Sequence, residues 1–176
     1  MMRKFWIAAL AVMLFAQPGV AQAQDGEKLD CVMVSATPEL KTSMGKAMEA
    51  LGRGADMPGL IRQLRAVTDA CATKWDFDPD LYFNYSIGRL AREWITPVLR
   101  RASVDTATVD RFYDFGPGRA NPEVTTVTPE QAKSISEALQ ADGVDVEKIG
   151  IETWEVMGVY IGATSIYWRS RALLTR

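Results

Sequence analysis

The sequence predicts an all-α protein, a single-domain bundle of five to six helices with a central C-terminal helix and one disulfide. Three observations carry this prediction. A Thr or Asp followed by Pro repeatedly precedes apolar residues at helical spacing, which is the signature of a capped helix. The last long stretch is apolar on two sides, which is typical of a helix inside a core. Two cysteines are available for one bridge.

The first residues have the pattern of a secretory signal peptide rather than of the fold. A basic start at residues 1–4 precedes an apolar run of about a dozen residues, and Ala21-Gln22-Ala23 is a small-x-small cleavage motif. An uncleaved membrane anchor is the alternative interpretation. The apolar run is shorter than the roughly 20 residues that a membrane span needs, which favours the signal peptide. We predict a signal peptide at residues 1–23, a single helical domain at residues 24–176, and no membrane span after cleavage. The protein would be exported, to the periplasm in a Gram-negative source and otherwise secreted.

Composition excludes several function classes. Removing the 23 signal residues leaves 153 of the 176 and changes the formal net charge from −2 to −4, which disfavours nucleic-acid binding. The chain has no histidine, which excludes Ser-His-Asp and Cys-His catalysis and His-containing zinc sites. Two cysteines cannot form a four-cysteine site. We therefore expect no metal and no cofactor.

The two cysteines, Cys31 and Cys71, are expected to pair after export. Cys71 continues the apolar positions Leu60, Leu64 and Val67, whose helical spacing would point it inward. A bridge would close a loop of about 40 residues and stabilise the fold by about 4 kcal/mol in the chain-entropy model. A redox-active pair is the alternative, although such pairs are more often closely spaced.

The first two predicted helices carry clear start signals. Residues 29–34 come before them and could be extended or a lead-in segment held by Cys31. Thr37 caps helix one, which ends at Gly52, and Asp56 begins helix two, which ends near Lys74.

Helix three is predicted from Asp78 to Arg101 and has two different faces. We expect the core face to hold Phe83, Ile87, Leu90, Trp94 and Val98. The opposite face is basic and holds Tyr85, Arg89, Arg92, Thr96 and Arg100. Such a face is either simply solvated or a site for an anionic ligand or partner, because guanidinium groups act as forked donors.

The middle of the chain contains a short helix, a loop and another helix. Asp105 caps helix four, whose Asp110 and Asp114 share one side; they are either solvated acids or a pair for acid/base chemistry. The loop at residues 115–127 is rich in turn residues and could be an ordinary connection or a binding loop. Thr128 begins a capping box for helix five, which ends at Gly143.

Helix six is predicted to begin with Asp145 as its cap and to end near Leu174. Gly158 and Gly162 lie on one side of it, between Glu155 and Arg169, and form a narrow groove. A buried crossing with another helix, a ligand groove and a dimer contact all fit this pattern. A membrane helix pair does not fit, because the uncharged run of about 13 residues spans only about 20 Å.

The leading hypothesis is an exported non-catalytic helical protein that binds a protein or a cell-envelope component. One alternative is a carrier of a small apolar ligand, with a cavity beside the last helix. Another is a carboxylate-dependent envelope hydrolase that uses Asp110 with Asp114, or Glu152 with Glu155. No catalytic residue is predicted. The candidate binding residues are Tyr85, Arg89, Arg92, Arg100, Glu155, Gly158 and Gly162.

Overall fold

The computed structural model describes residues 19–176, with side chains from residue 26 onward. Residues 1–18, and with them most of the expected signal peptide, lie outside the described residues. The described part is all-helical and contains no strand, which confirms the predicted fold class. It has seven α-helices instead of the expected five to six: α1 Gly19–Ser35, α2 Pro38–Glu49, α3 Met57–Trp75, α4 Pro79–Arg101, α5 Thr106–Phe112, α6 Pro129–Ala141 and α7 Ile151–Leu174.

Helix starts follow the local signals in the sequence. Thr37 Oγ1 accepts a hydrogen bond from Leu40 N at 3.2 Å, and Asp78 Oδ1 accepts one from Leu81 N at 2.7 Å. The capping box at Thr128 is complete, because its side chain and that of Gln131 each accept from the other residue's backbone. Side-chain acceptors satisfy amide groups that would otherwise have no partner in the first helical turn.

The additional helix is α1, where the sequence indicated an extended segment or a lead-in. Leu29 and Val32 are buried in the core. Tyr82 of α4 ties α1 down, since its hydroxyl donates to Lys28 O at 3.1 Å and accepts from Val32 N. The predicted disulfide between Cys31 and Cys71 is present and joins α1 to α3. Among the described residues, no helix is both long and apolar enough to cross a membrane.

The start of α7 differs from the prediction. Asp145 precedes a single 3₁₀ turn, Val146–Lys148, and makes no capping hydrogen bond there. Its carboxylate instead pairs with the Lys148 ammonium at 2.7 Å. The helix itself begins at Ile151, after Gly150.

The central position belongs to α4 rather than to α7. In the described fold α4 packs against α1, α2, α3, α5 and α7, whereas α7 packs against α2, α4 and α5. Because α4 is covered on several sides, a single core stripe does not describe it. Of the five residues expected in the core stripe only Leu90 is fully buried, and the buried side chains and glycine lie around the helix: Tyr82, Tyr85, Ser86, Gly88, Leu90, Ala91, Ile95 and Leu99.

The close crossing of α4 with α7 depends on Gly88. A Cβ atom at this position would lie 2.7 Å from Ala163 O and 2.9 Å from Tyr167 N, both backbone atoms of α7. Only a residue without a side chain permits that approach. By contrast, a Cβ on Gly158 or Gly162 would meet no atom within 4 Å. A buried helix crossing at these two glycines, one of the interpretations of the sequence, is therefore wrong.

Candidate functional site

A cavity of about 280 Å³ lies between α1, α4 and α7, and we call it the arginine pocket. Three arginines line it: Arg89 and Arg92 from α4, and Arg171 from α7. Two carboxylates, Asp30 from α1 and Glu93 from α4, lie at its rim, with about half of each side chain exposed. The part of the predicted basic face that holds Tyr85, Arg89 and Arg92 is thus not a free solvated surface, since α1 and α7 flank it and form a half-open polar cavity with it.

Arg89 is fixed by partners on two helices. Its Nη1 donates to the carboxylate of Asp30, to Leu29 O at 3.2 Å and to the Tyr85 hydroxyl at 3.1 Å. Its Nε donates to Glu93 Oε1 at 3.1 Å. Burial alone would lower the pKa of Arg89, but the hydrogen bonds with Asp30 and Glu93 and the nearby Tyr85 raise it further above its usual value. The guanidinium is permanently charged and held in one orientation.

Arg92 is held by Asp110 of α5. Its Nη2 donates to Asp110 Oδ2 at 2.9 Å and its Nη1 donates to Thr164 Oγ1 at 2.8 Å. The Tyr160 hydroxyl donates to the other Asp110 oxygen at 2.9 Å. Only about one-fifth of each side chain in the Arg92–Asp110 pair is exposed, 21% and 23%. This network ties α4, α5 and α7 together.

Aromatic side chains form the pocket walls. The rings of Tyr85 and Tyr167 are stacked with centroids 5.3 Å apart, and both line the cavity. The Arg92 guanidinium carbon lies 5.5 Å from the Tyr167 ring centroid, within range for a cation–π contact. Burial raises the pKa of Tyr85 to about 12, although Arg89 opposes the shift. Tyr85 is therefore neutral near pH 7 and presents both an apolar ring and a hydroxyl group.

Arg171 is the cation of the pocket that has no carboxylate partner within the described fold. Its Nη1 donates to the Tyr167 hydroxyl at 3.2 Å, and its guanidinium carbon lies 5.3 Å from the Trp168 ring centroid. These contacts orient the guanidinium without neutralising it. Arg171 can therefore offer forked N–H donors to an incoming anion.

Four of the seven candidate binding residues do not line the arginine pocket, and two of them, Arg100 and Glu155, are exposed elsewhere on the surface. Arg100 is exposed in the last turn of α4 and does not line the pocket. Glu155 is exposed near the start of α7, where its carboxylate lies 3.6 Å from Arg53 Nη1. Of the predicted basic face, the structure brings Tyr85, Arg89 and Arg92 together at one site.

The groove of Gly158 and Gly162 lies on a different side of α7, against the chain segment at residues 122–127. Ser165 anchors that segment, because its hydroxyl donates to Pro122 O at 2.8 Å and accepts from Val124 N at 3.0 Å. A cavity of about 230 Å³ remains beside the two glycines, and a second of about 470 Å³ adjoins Gly162. The groove is therefore bordered by the chain's own loop and left partly open.

The loop at residues 115–127 is closed by its own hydrogen bonds. Asn121 Oδ1 accepts from Gly116 N at 2.8 Å, and Asn121 Nδ2 donates back to Gly116 O at 2.9 Å. The Asp114 carboxylate accepts from Ala120 N at 3.0 Å. Asp114 thus holds the loop while Asp110 holds Arg92, so these two acids have separate structural partners.

No cluster of three or more His, Cys, Asp or Glu in the described part of the chain is placed to hold a metal ion. Comparison with protein-family models, with curated proteins and with solved structures finds no match to this chain.

Sequence reasoning missed Arg171, Tyr167 and the rim acids, which join Arg89 and Arg92 only in three dimensions. A signal for the crossing was present in α4, where the small residues Gly88 and Ala91 lie between the aromatic and basic side chains. Small residues beside long ones on a helix face are typical of a close helix contact. Nothing local in the sequence indicates which helix completes the pocket.

Proposed function

We propose that the protein is an exported, non-catalytic binding module whose arginine pocket takes a carboxylate-bearing group of a protein or cell-envelope component. The observation that carries the proposal is Arg171, a guanidinium without a carboxylate partner in a cavity whose other arginines are already paired. A carboxylate matches the geometry of a guanidinium fork and would complete the charge balance.

The chemistry of the lining supports binding rather than catalysis. Guanidinium groups stay protonated and do not act as acids or bases near neutral pH. The rim acids Asp30 and Glu93 are engaged by Arg89. The raised pKa of Tyr85, about 12, keeps its hydroxyl group protonated at pH 7, so Tyr85 does not act as a base. The pocket therefore holds fixed charges and apolar walls, which are features of recognition.

Titration with 3-phenylpropionate tests the assignment of the pocket. This probe carries one carboxylate and a ring that can lie against Tyr85 and Tyr167. We expect calorimetry to detect binding to the wild-type protein and Arg171→Gln to weaken it by about tenfold or more, since a charge-assisted hydrogen bond is lost. Arg100→Gln removes the same charge outside the pocket and should leave the affinity unchanged. Equal weakening by both variants would show a general charge effect and overturn the assignment.

Export is a separate part of the proposal, and it rests on the sequence of residues 1–23. Intact-mass analysis of the protein from its source cells should give a chain that begins at Gln24 with Cys31 and Cys71 oxidised. A chain that retains residues 1–23, found in the cytoplasm, would contradict export.

A carrier of a small apolar ligand is the second candidate, supported by the cavities beside Gly158 and Gly162. This site is less specific than the arginine pocket. Its charged residues Arg169 and Glu123 already pair with each other, so neither offers an unpaired charge to a ligand. Native mass spectrometry of gently purified protein would reveal a retained small molecule if the carrier hypothesis is right. The hydrolase hypothesis gains no support from the structure, since neither of its acid pairs lines the arginine pocket.

A further inference from the structure

We infer that the ligand group in the arginine pocket is zwitterionic, with an ammonium group beside its carboxylate, as in an α-amino acid. This inference rests on the proposed function, which supplies the carboxylate, and adds a second charge of opposite sign.

The charges around the pocket are unevenly distributed. Arg89 faces two carboxylates, Asp30 and Glu93, so among the described side chains that line the pocket on α1 and α4 this arginine has one carboxylate more than it can balance. Arg92 is balanced by Asp110. Arg171, on α7, leaves one surplus positive charge, because it has no carboxylate partner among the described residues. The described charged groups of the pocket, with Asp110, sum to about zero but present opposite charges from different helices.

The rim acids keep the capacity to accept further donors. About half of each side chain is exposed, 53% for Asp30 and 52% for Glu93. Each carboxylate can accept additional hydrogen bonds. An ionised carboxylate has about four acceptor positions, and Arg89 occupies one oxygen of each. An ammonium group, with three donors, fits this side of the pocket.

Ligands with other charges fit less well. A phosphate dianion would be attracted by Arg171 but repelled by the surplus negative charge at Asp30 and Glu93. A simple carboxylate would neutralise Arg171 and leave that surplus unpaired. A ligand with only an ammonium group would leave Arg171 unpaired. A zwitterion satisfies both sides at once, and electrostatic complementarity of this kind confers specificity.

Three probes with the same phenyl group separate these possibilities in calorimetric titrations of the full protein. Phenylalanine carries both charges, 3-phenylpropionate only the carboxylate, and 2-phenylethylamine only the ammonium. We expect phenylalanine to bind about tenfold or more tightly than 3-phenylpropionate, because a charge-assisted hydrogen bond is added. We expect 2-phenylethylamine to bind more weakly than phenylalanine by a similar factor.

A variant at the rim assigns the ammonium site. Glu93→Gln removes the surplus negative charge and should reduce the preference for phenylalanine over 3-phenylpropionate by about tenfold. Glu137→Gln is the matched control, since Glu137 is also exposed and pairs with a cation one helical turn away, Lys133, but lies on α6. It should leave the preference unchanged. Circular dichroism of both variants checks that the fold is retained.

The two levels of the proposal fail in different ways. If 3-phenylpropionate binds as tightly as phenylalanine, the zwitterion inference is overturned and the carboxylate pocket stands. If the wild-type protein binds neither phenylalanine nor 3-phenylpropionate, the pocket assignment is overturned together with the inference. If Glu93→Gln leaves the preference intact, Glu93 does not hold the ammonium group, and the inference is wrong in its geometry.

Discussion

Gly88→Ala is the sharpest test of how α4 and α7 pack. The new Cβ would lie 2.7 Å from Ala163 O, 2.9 Å from Tyr167 N and 3.0 Å from Tyr167 Cβ. Two of these atoms belong to the α7 backbone and cannot rotate away, so the helices must move apart. Overpacking costs about 1–3 kcal/mol, and the better helix propensity of Ala returns up to about 1 kcal/mol. With an overpacking cost near the middle of that range and about 1 kcal/mol returned, we expect a net loss of about 1 kcal/mol in the free energy of unfolding, which lowers Tm by about 2–4 °C in a domain of this size.

Urea unfolding followed by tryptophan fluorescence measures this change, and the partner helix α7 supplies the control. Gly162→Ala makes the same chemical change at a position where a Cβ meets no atom within 4 Å. It should stabilise the protein by up to about 1 kcal/mol through helix propensity. If Gly88→Ala is neutral or stabilising, or if Gly162→Ala is equally destabilising, the close crossing at Gly88 is not the contact that the structure describes.

Three further changes test the remaining parts of the fold. Replacing both Cys31 and Cys71 by Ala should lower the free energy of unfolding by about 4 kcal/mol in non-reducing urea titrations, since the bridge closes a loop of 40 residues; a loss below about 1 kcal/mol would contradict this. Arg92→Met should lower the free energy of unfolding by about 2–4 kcal/mol in the same assay, because Asp110 stays largely buried without its cation. Adding Asp110→Asn should recover part of that loss. Purely additive effects of the two changes would refute the coupling between Arg92 and Asp110. Burial raises the pKa of Tyr160 from 10.0 to about 12, so the unfolded chain loses this proton first and stability falls by about 2–3 kcal/mol as pH rises from 10 to 12. Tyr160→Phe should make that fall in stability shallower. An unchanged pH profile would contradict the assignment of the fall to Tyr160.

Much of the helical framework is encoded locally and could be predicted. Thr37, Asp78 and Thr128 satisfy the first amide groups of their helices with their own side chains, so the signals hold regardless of tertiary packing. The segment of α1 lacked such a signal. Its apolar residues Leu29 and Val32 are three positions apart, which fits a helix, but a single pair does not distinguish a helix from an extended segment.

The site was less predictable because polar side chains opposite an apolar stripe have two possible environments. Arg89 and Arg92 could face water, or they could lie under another helix with acids to pair them. The pairing acids Asp30 and Asp110 lie on other helices, so sequence spacing carries no information about them. The two-glycine pattern at Gly158 also has two outcomes, a crossing or an open groove, and the structure shows the open one.

The most direct test of the arginine pocket is a titration of the labelled protein with phenylalanine, observed through the arginine side-chain Nε signals and the backbone amide signals in NMR spectra. The binding pocket proposed here predicts a saturable shift of the Arg171 signal, with smaller shifts for Arg89 and Arg92 and none for Arg100. Shifts confined instead to backbone signals at Gly158 and Gly162 would place the ligand in the groove beside residues 122–127. That result would contradict the arginine pocket and favour the carrier.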